Sequence, residues 1–331
     1  MRRILQWLVL PIAAVVAAAA PPVQLVFDTD MGNDVDDALA LAMIHALQSR
    51  GEAGLLAVTV TKDNRYAAPF VDLVNTFYGR KEIPIGVVKG GRTPEDSPMI
   101  RVPAERRNAD GSYVYPHRLT DGREAPDAVS VLRRVLARAE DASVVIVMVG
   151  FSTNLARLLD SPGDATSPLS GAQLAAAKVR LLSAMAGHFP QGPPEFNVKT
   201  DIPAARKVFA EWPSPVVFSG FEVGRALLFP AASIEREFAW TPDHPVAEAY
   251  RNYMRMPYDR PTWDLTAVLY AVRPGHRYFS LSAEGRVTVN DSGQTEFHAE
   301  AGGKHRYLIL DDTQKPRTLE ALILLASQPA R

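Results

Sequence analysis

The sequence predicts an α/β protein whose mostly parallel sheet is flanked by helices and followed by a small β-rich C-terminal part. Three observations lead to this fold class. Short β-branched segments alternate with helical patterns from residue 25 to residue 272. Residues 143–149, SVVIVMV, are continuously apolar after Ser143, as is typical of a parallel strand buried on both faces. From Tyr278 onward, short strand patterns are joined by Gly-containing turns.

The individual elements follow from periodicity and turn residues. A strand that ends at Phe27 precedes an apolar helix that begins near Ala38. The polar, Pro- and Gly-rich residues 90–122 predict a long loop, of a length that is often functional. Further strands are expected at 55–64, 83–88, 143–149, 179–185 and 215–219, and further helices at 69–78, 127–139, 154–159, 203–211, 245–256, 264–272 and 319–326.

Composition limits the classes of function. The chain has 331 residues, 47% of them hydrophobic, which is enough for one large core. Its 36 basic and 37 acidic residues are mixed along the chain, so no basic stripe indicates a nucleic-acid partner. With no linker or repeat visible, residues 21–277 are expected to form one domain. Residues 278–331 are expected to form a β-rich extension packed on that domain.

The first twenty residues have the pattern of a secretory signal peptide. Arg2 and Arg3 precede an apolar segment, and small residues at 17–20 stand before Pro21. We therefore expect export to the periplasm or the extracellular space, with no stable membrane association after cleavage. An uncleaved membrane anchor is the alternative, which Pro11 and the alanine-rich end of the segment argue against.

A strand-to-helix turn carries an unusual density of acid. Residues 25–41, LVFDTDMGNDVDDALAL, contain five aspartates at 28, 30, 34, 36 and 37. The turn lies at the carboxyl end of a strand, where open α/β sheets place their ligands. Clustered carboxylates repel one another, and a helix N-terminus offsets only about 0.3–1 kcal/mol. A bound hard cation such as Ca²⁺ or Mg²⁺ would offset far more, because it prefers oxygen ligands.

Other interpretations of the turn can be weighed from the residues alone. Asp34 or Asp36 could be a helix N-cap in an otherwise solvated turn. An EF-hand is excluded because Gly32 stands one position early and Leu39 replaces the bidentate glutamate. A Mg²⁺-dependent phosphatase of the haloacid-dehalogenase type, with Asp28 as nucleophile, stays open.

The turn resembles the signature of the inosine-uridine preferring nucleoside hydrolases, DxDPGxDDAxA. Met31 replaces the proline, and two extra residues precede the last aspartate pair. Four later segments resemble family motifs in the same order: KDN at 62–64, VGFSTN at 149–154, EFN at 195–197 and WDLTA at 263–267. The matching residues of the turn are Asp28, Asp30, Gly32, Asp36, Asp37, Ala38 and Ala40.

The resemblance implies a calcium-dependent enzyme that hydrolyses the N-glycosidic bond of ribonucleosides. Asp30 would be the catalytic base toward water. Metal ligands would be Asp30, Asp37, the Val149 carbonyl and Asp264. Substrate contacts would come from Asp36 or Asp34, whose roles the insertion leaves open, and from Asn64, Glu195, Asn197 and Trp263. The implied partner is a nucleoside, a homo-oligomer is left open, and a non-catalytic calcium-dependent ribosyl-binding protein is the second alternative.

Trp263 is the main departure from the resemblance. It stands where many family members carry a histidine that protonates the leaving base. Tryptophan cannot release a proton near neutral pH, although its ring can stack on a purine. His188, Tyr250 and Tyr253 are the remaining candidates for an acid on the leaving-group side.

Overall fold

A computed structural model describes residues 21–329, so the predicted signal peptide, residues 1–20, lies outside the described residues. Within the described range, no helix combines the length and hydropathy needed to cross a membrane. The strands are β1 (Val23–Thr29), β2 (Ala53–Lys62), β3 (Ile85–Arg92), β4 (Val144–Met148), β5 (Val179–Met185), β6 (Val216–Ser219), β7 (Leu228–Phe229), β8 (Arg260–Pro261), β9 (Ser280–Leu281), β10 (Gly285–Val289), β11 (Thr295–Ala299) and β12 (His305–Ile309).

Helices alternate with these strands through most of the chain, as the sequence predicts. They are α1 (Asp36–Ser49), α2 (Ala67–Phe77), α3 (Pro98–Glu105), α4 (Ala128–Arg138), α5 (Thr153–Asp160), α6 (Gly171–Lys178), α7 (Phe196–Thr200), α8 (Ile202–Glu211), α9 (Phe221–Arg225), α10 (Ala231–Arg236), α11 (Pro245–Tyr253), α12 (Trp263–Val272) and α13 (Lys315–Ala326). Two short 3₁₀ turns, Gly122–Glu124 and Pro274–His276, complete the set.

Ten strands form one central sheet in the order β11-β10-β12-β6-β5-β4-β1-β2-β3, with β9 paired to β12. The seven strands from β12 to β3 are each parallel to their neighbours in this series. Strands β9, β10 and β11 add antiparallel pairs at the C-terminal side. The predicted α/β class with a mostly parallel sheet and a β-rich C-terminal part is confirmed. The C-terminal strands continue the central sheet, because β12 pairs with β6.

Both faces of the sheet are covered, which explains why the central strands are continuously apolar. On β1, Leu25 and Phe27 belong to the core on one face, whereas Val26 belongs to the core on the other. The first core contains residues of α1, α2, α11 and α12, and the second contains residues of α4, α5 and α8. Because side chains alternate along a strand, apolar residues are favoured at both sets of positions on a doubly covered strand.

The predicted loop at 90–122 differs most from expectation. It contains α3, which begins with Pro98 and buries Met99 and Ile100 completely. Proline is well tolerated at the first helical position because its missing N–H would be unpaired there. The rest of the segment is fixed by the buried Asp72 carboxylate, which accepts from the backbone N–H groups of Arg118 at 2.6 Å and Leu119 at 2.9 Å.

Candidate active site

The aspartate-rich turn opens on a cavity at the carboxyl edge of the central strands. Strands β1, β4 and β5 end there, at the position that open α/β sheets use for ligands. The cavity has a volume of about 260 Å³. Its lining residues are Asp30, Asn33, Asp34, Asp36, Asp37, Val149, Met185, Glu195, Phe196, Asn197, Phe221, Tyr253, Arg260, Trp263 and Asp264.

The turn between β1 and α1 depends on one glycine. Gly32 has φ +110°, and a Cβ at this residue would lie 2.5 Å from the Ile100 side chain. The Met31 N–H donates to the Thr29 hydroxyl at 3.1 Å, and the Asn33 N–H donates to the Asp30 carbonyl at 3.1 Å. A side chain at residue 32 would be both strained and obstructed, so glycine permits this tight path from strand to helix.

Three buried carboxylates meet at the floor of the cavity. Asp36 and Asp37 begin α1, and Asp264 lies in the first turn of α12. One oxygen of each lies within 4.8 Å of the others. Asp36 accepts from the Asp264 backbone N–H at 3.1 Å, and Asp37 accepts from the Thr29 hydroxyl. The second oxygen of Asp37 is buried with no hydrogen-bond donor in the described part of the chain.

The charge balance of this floor is unfavourable without a cation. Burial, and then the neighbouring carboxylates, raise the pKa of Asp37 and of Asp264 well above the ordinary value. The same two causes raise the pKa of Asp36, with Asp34 as its main carboxylate neighbour. An oxygen-only donor set with an unpaired buried oxygen fits a hard divalent cation, which would supply the missing positive charge.

Asp30, the predicted base, lies beside this cluster and is 4% exposed. Its carboxylate accepts from the Asn33 side-chain amide at 2.8 Å. The Lys62 ammonium donates in turn to the Asn33 side-chain oxygen Oδ1 at 2.8 Å and to the Thr93 backbone carbonyl at 2.7 Å. Burial raises the pKa of Asp30 to about 6. A carboxylate with this pKa can accept a proton from water near neutral pH.

Glu195, Asn197 and Val149 form one connected wall of the cavity. Glu195 caps α7 by accepting from the backbone N–H of Asn197 at 2.8 Å, and burial raises its pKa to about 7. The Asn197 amide donates to the Val149 carbonyl at 2.7 Å and to the Met185 carbonyl at 3.2 Å. The Val149 carbonyl, predicted as a metal ligand, therefore already accepts one hydrogen bond and retains one lone pair.

Two predicted residues lie away from the cavity. Asn64, expected to bind ribose, instead donates to the carbonyls of Pro94 and Glu95 at 3.1 Å and accepts from the Tyr66 N–H. Asn64 therefore does not line the cavity, because its side-chain amide joins its own turn to residues 94 and 95. Asp28, the nucleophile of the phosphatase alternative, is fully buried, and one of its oxygens accepts from Thr59 and Asn154.

The insertion in the aspartate turn supplies two cavity residues. Asn33 holds Asp30, and Asp34 forms an ion pair with Arg260. Asp36, in contrast, belongs to the carboxylate floor. Sequence reasoning missed Asn33 and Arg260, although the extra residues between Gly32 and Asp36 were a signal that this turn differs locally from its family pattern.

Aromatic residues form another part of the cavity lining, called here the aromatic end. Trp263 begins α12, and its indole N–H donates to the Phe221 carbonyl at 2.8 Å. The Phe221 and Trp263 ring centroids are 5.3 Å apart. Phe196 also lines this end and remains 45% exposed. Sequence reasoning found Trp263 but gave no role to Phe196, although it lies within the EFN motif. It missed Phe221, because an aromatic residue outside the motifs is indistinguishable from a core residue.

Of the candidate acids, one lines the cavity. Tyr253 does so, and its hydroxyl accepts from the Arg260 guanidinium at 3.0 Å. Tyr250 is completely buried and donates to the Tyr258 carbonyl, whereas His188 packs on Phe221 outside the lining. Neither Tyr250 nor His188 is placed to protonate a base in the cavity.

Comparison with known proteins identifies the family of the chain. The model of the inosine-uridine preferring nucleoside hydrolase family matches residues 25–320. The chain therefore belongs to that family, which makes it an N-glycosyl hydrolase by class. A search of curated proteins finds no significant match.

Solved structures share the fold at low sequence identity. The plant nucleoside hydrolase PpNRh1 has 20% identity and a TM-score of 0.68, with 93% of this chain and 100% of that chain covered. The inosine-uridine preferring nucleoside hydrolase of Bacillus anthracis has 17% identity and a TM-score of 0.68, with 92% and 99% covered. The type III effector protein XopQ has 17% identity and a TM-score of 0.62, with 95% of each chain covered.

In protein freed of cations, the buried acids predict that the folded state becomes less stable as pH rises. Burial raises the pKa of Asp28 to about 7, of Asp30 to about 6 and of Glu195 to about 7. Between pH 4 and pH 7 the folded state thus binds more protons than the unfolded state, so the free energy of unfolding falls as pH rises. Thermal melting in chelator should give a lower Tm at pH 8 than at pH 5.

Asp37→Asn tests the contribution of the carboxylate floor to this effect. The variant removes one buried charge but keeps an oxygen for the Thr29 hydroxyl, so it should raise the Tm in chelator at pH 8. Asp141→Asn is the matched control, because that side chain is 80% exposed. A Tm for Asp37→Asn at or below that of the parent protein in chelator would contradict the repulsion that we infer.

Proposed function

We propose that the protein hydrolyses ribonucleosides to ribose and free base in a calcium-dependent reaction. The observation that carries the proposal is the carboxylate floor, in which Asp36, Asp37 and Asp264 lie within 4.8 Å beside Asp30. The adjoining wall of Glu195 and Asn197 offers buried polar groups to a sugar. The aromatic end of the cavity offers surface for a base, as expected of a site that recognises a polar sugar and an apolar ring.

Asp37 and Asp264 would hold the ion, with Asp36 as the third carboxylate in reach. The Val149 carbonyl and Asp30 line the same cavity and complete an oxygen-rich set. Bound calcium would neutralise these acids, lower the pKa of water and bind vicinal hydroxyl groups. Chelation should abolish hydrolysis and calcium should restore it. Full activity in chelator-washed protein would remove calcium from the proposal.

The chain's own residues then have distinct tasks. Asp30 accepts a proton from the attacking water, and the hydrogen bond from Asn33 fixes the orientation of its carboxylate. Glu195 and Asn197 bind sugar hydroxyls, which favours substrates with an intact ribose because unpaired buried polar groups are costly. The transition state resembles an oxocarbenium ion, which the surrounding carboxylates stabilise.

Two alternatives to this function make different demands on the site. The phosphatase interpretation requires an accessible Asp28, and that residue is fully buried and does not line the cavity. A ribosyl-binding protein without turnover would keep the site but release no sugar. XopQ was solved as a complex with adenosine diphosphate ribose, so this compound belongs among the ligands tested.

Release of free ribose from a substrate panel tests the proposed function. We expect p-nitrophenyl riboside to react faster than inosine, and inosine faster than uridine. The order follows because Trp263 stands in the place of the usual acid, and purines both stack better and accept a proton more readily. Calorimetry with each compound reports binding separately. Binding without sugar release would favour the non-catalytic alternative, and uridine turnover equal to that of p-nitrophenyl riboside would contradict the predicted order.

We also propose that the protein is exported after cleavage near Pro21. The support is the composition of residues 1–20, with Arg2 and Arg3 before an apolar segment that ends in small residues. Sequencing the N-terminus of the extracytoplasmic protein should find it directly after residue 19 or 20. An intact Met1 in the membrane fraction would favour an anchor instead.

A further inference from the structure

Arg260 is a cation built into the aromatic end of the cavity. It lies on β8, whose backbone pairs with β7, and its side chain is 20% exposed. Its Nε donates to Asp34 at 2.8 Å, and its Nη2 donates to Asp34 and, at 3.0 Å, to the Tyr253 hydroxyl. The guanidinium is therefore held in one orientation at the cavity wall.

Aromatic rings hold the guanidinium from other directions. Its Cζ atom lies 5.0 Å from the Tyr253 ring centroid and 5.2 Å from the Trp263 ring centroid. Both distances are within the range of a cation–π contact. Arginine is suited to this place because it remains charged and its planar group both stacks and donates in a fixed geometry.

One nitrogen of the Arg260 guanidinium donates no hydrogen bond within the described residues. Its Nε and Nη2 groups are occupied, whereas its Nη1 atom donates to no acceptor within residues 21–329. Arginine has five N–H donors, two of them on Nη1. Since Arg260 lines the cavity, these two donors are available to a ligand bound there.

The aromatic end of the cavity offers poor proton donors. The Trp263 N–H is used by the Phe221 carbonyl. Tyr253 is the hydroxyl-bearing residue among the lining, and burial raises its pKa well above the ordinary value. A nucleoside whose sugar is bound at the carboxylates would place its base among these aromatic residues. The negative charge that develops on the departing base would then lie beside the Arg260 guanidinium.

We propose that Arg260 stabilises the departing nucleobase as an anion, taking the place of a general acid in the hydrolysis proposed above. The bond between C1′ and the base nitrogen breaks, and its electron pair stays on that nitrogen. The water oxygen forms the new bond to C1′, and one water proton passes to Asp30. The Nη1 donors bind an electronegative atom of the base, which takes a proton from solvent after it has left.

Asp34 acts in this scheme as a positioning residue. It holds two of the three guanidinium nitrogens, and it lies in the segment of the turn that carries the two extra residues. The ion pair with Asp34 fixes the orientation of the Arg260 guanidinium without using Nη1. The Nη1 donors therefore remain available to the leaving base. The inserted residues and the Trp263 replacement thus belong to one alternative way of activating the leaving group.

Arg260→Gln tests the proposal through its dependence on the leaving group. Removal of one preorganised donor to a developing negative charge typically costs about 100- to 1,000-fold in rate. We expect a loss of that size in kcat for inosine and uridine. p-Nitrophenyl riboside should lose less than about 10-fold, because its leaving group is stable as an anion. Across aryl ribosides, log kcat/KM should depend more steeply on leaving-group pKa in the variant.

Further variants separate this role from others. Arg260→Lys keeps the charge but loses the planar fork, so it should recover part of the inosine rate. Tyr253→Phe should not lose more activity on inosine than on p-nitrophenyl riboside. Asp34→Asn should also lose more activity on inosine than on p-nitrophenyl riboside, but by a smaller factor than Arg260→Gln. Its KM should not rise for all substrates alike. Arg251→Gln is the matched control, because its side chain pairs with Glu235 and does not line the cavity.

Several results would overturn the assignment. Equal losses of Arg260→Gln on inosine and p-nitrophenyl riboside would mean a structural or binding role. A selective loss in Tyr253→Phe at least as large as that in Arg260→Gln would make the tyrosine the acid. Wild-type protein that hydrolyses none of the ribosides would instead refute the proposed function, and the role of Arg260 with it. Thermal melting and calcium affinity of each variant establish that the fold and the floor persist.

Discussion

The burial of like charges at the β1–α1 turn is the constraint on which the rest of the site depends. Asp36, Asp37 and Asp264 are each at most 4% exposed, and one Asp37 oxygen has no donor within the described residues. Two helix N-termini and the Thr29 hydroxyl offset part of the cost. The remainder needs a cation or a proton, so the strand ends at this edge of the sheet are where a positive charge would stabilise the protein most.

The fold stabilises this arrangement by surrounding the turn with apolar packing. Helix α1 is buried along almost its whole length, and it packs against α12, which carries Asp264. The two helices therefore bring acids more than two hundred positions apart in sequence to the same point. A helix that is apolar on all sides must lie inside a protein, and its position fixes the side chains at its N-terminus.

Most of the fold could be predicted from local pattern, and part of the site could be predicted from motifs. The continuous apolar strand before Val149 and the acids around Asp30 indicate a parallel sheet with ligands at its edge. Helix α3 was missed because its prolines and polar neighbours conceal a short buried face. Asn64 bonds residues 94 and 95 and does not line the cavity, whereas Asn33 reaches the cavity through the insertion. Arg260 lies outside every motif, and only the tertiary contact with Asp34 identifies it.

The most direct measurement of the central claim is a crystal structure of the protein grown with calcium, with anomalous scattering used to locate the ion. The account predicts one calcium peak at roughly 2.3–2.6 Å from oxygens of Asp37 and Asp264, as protein calcium sites require. The same crystals of Asp37→Asn and Asp264→Asn should lose the peak while the surrounding backbone is unchanged. A calcium-saturated crystal without a peak at the carboxylate floor, or with the ion held elsewhere in the cavity, would contradict it.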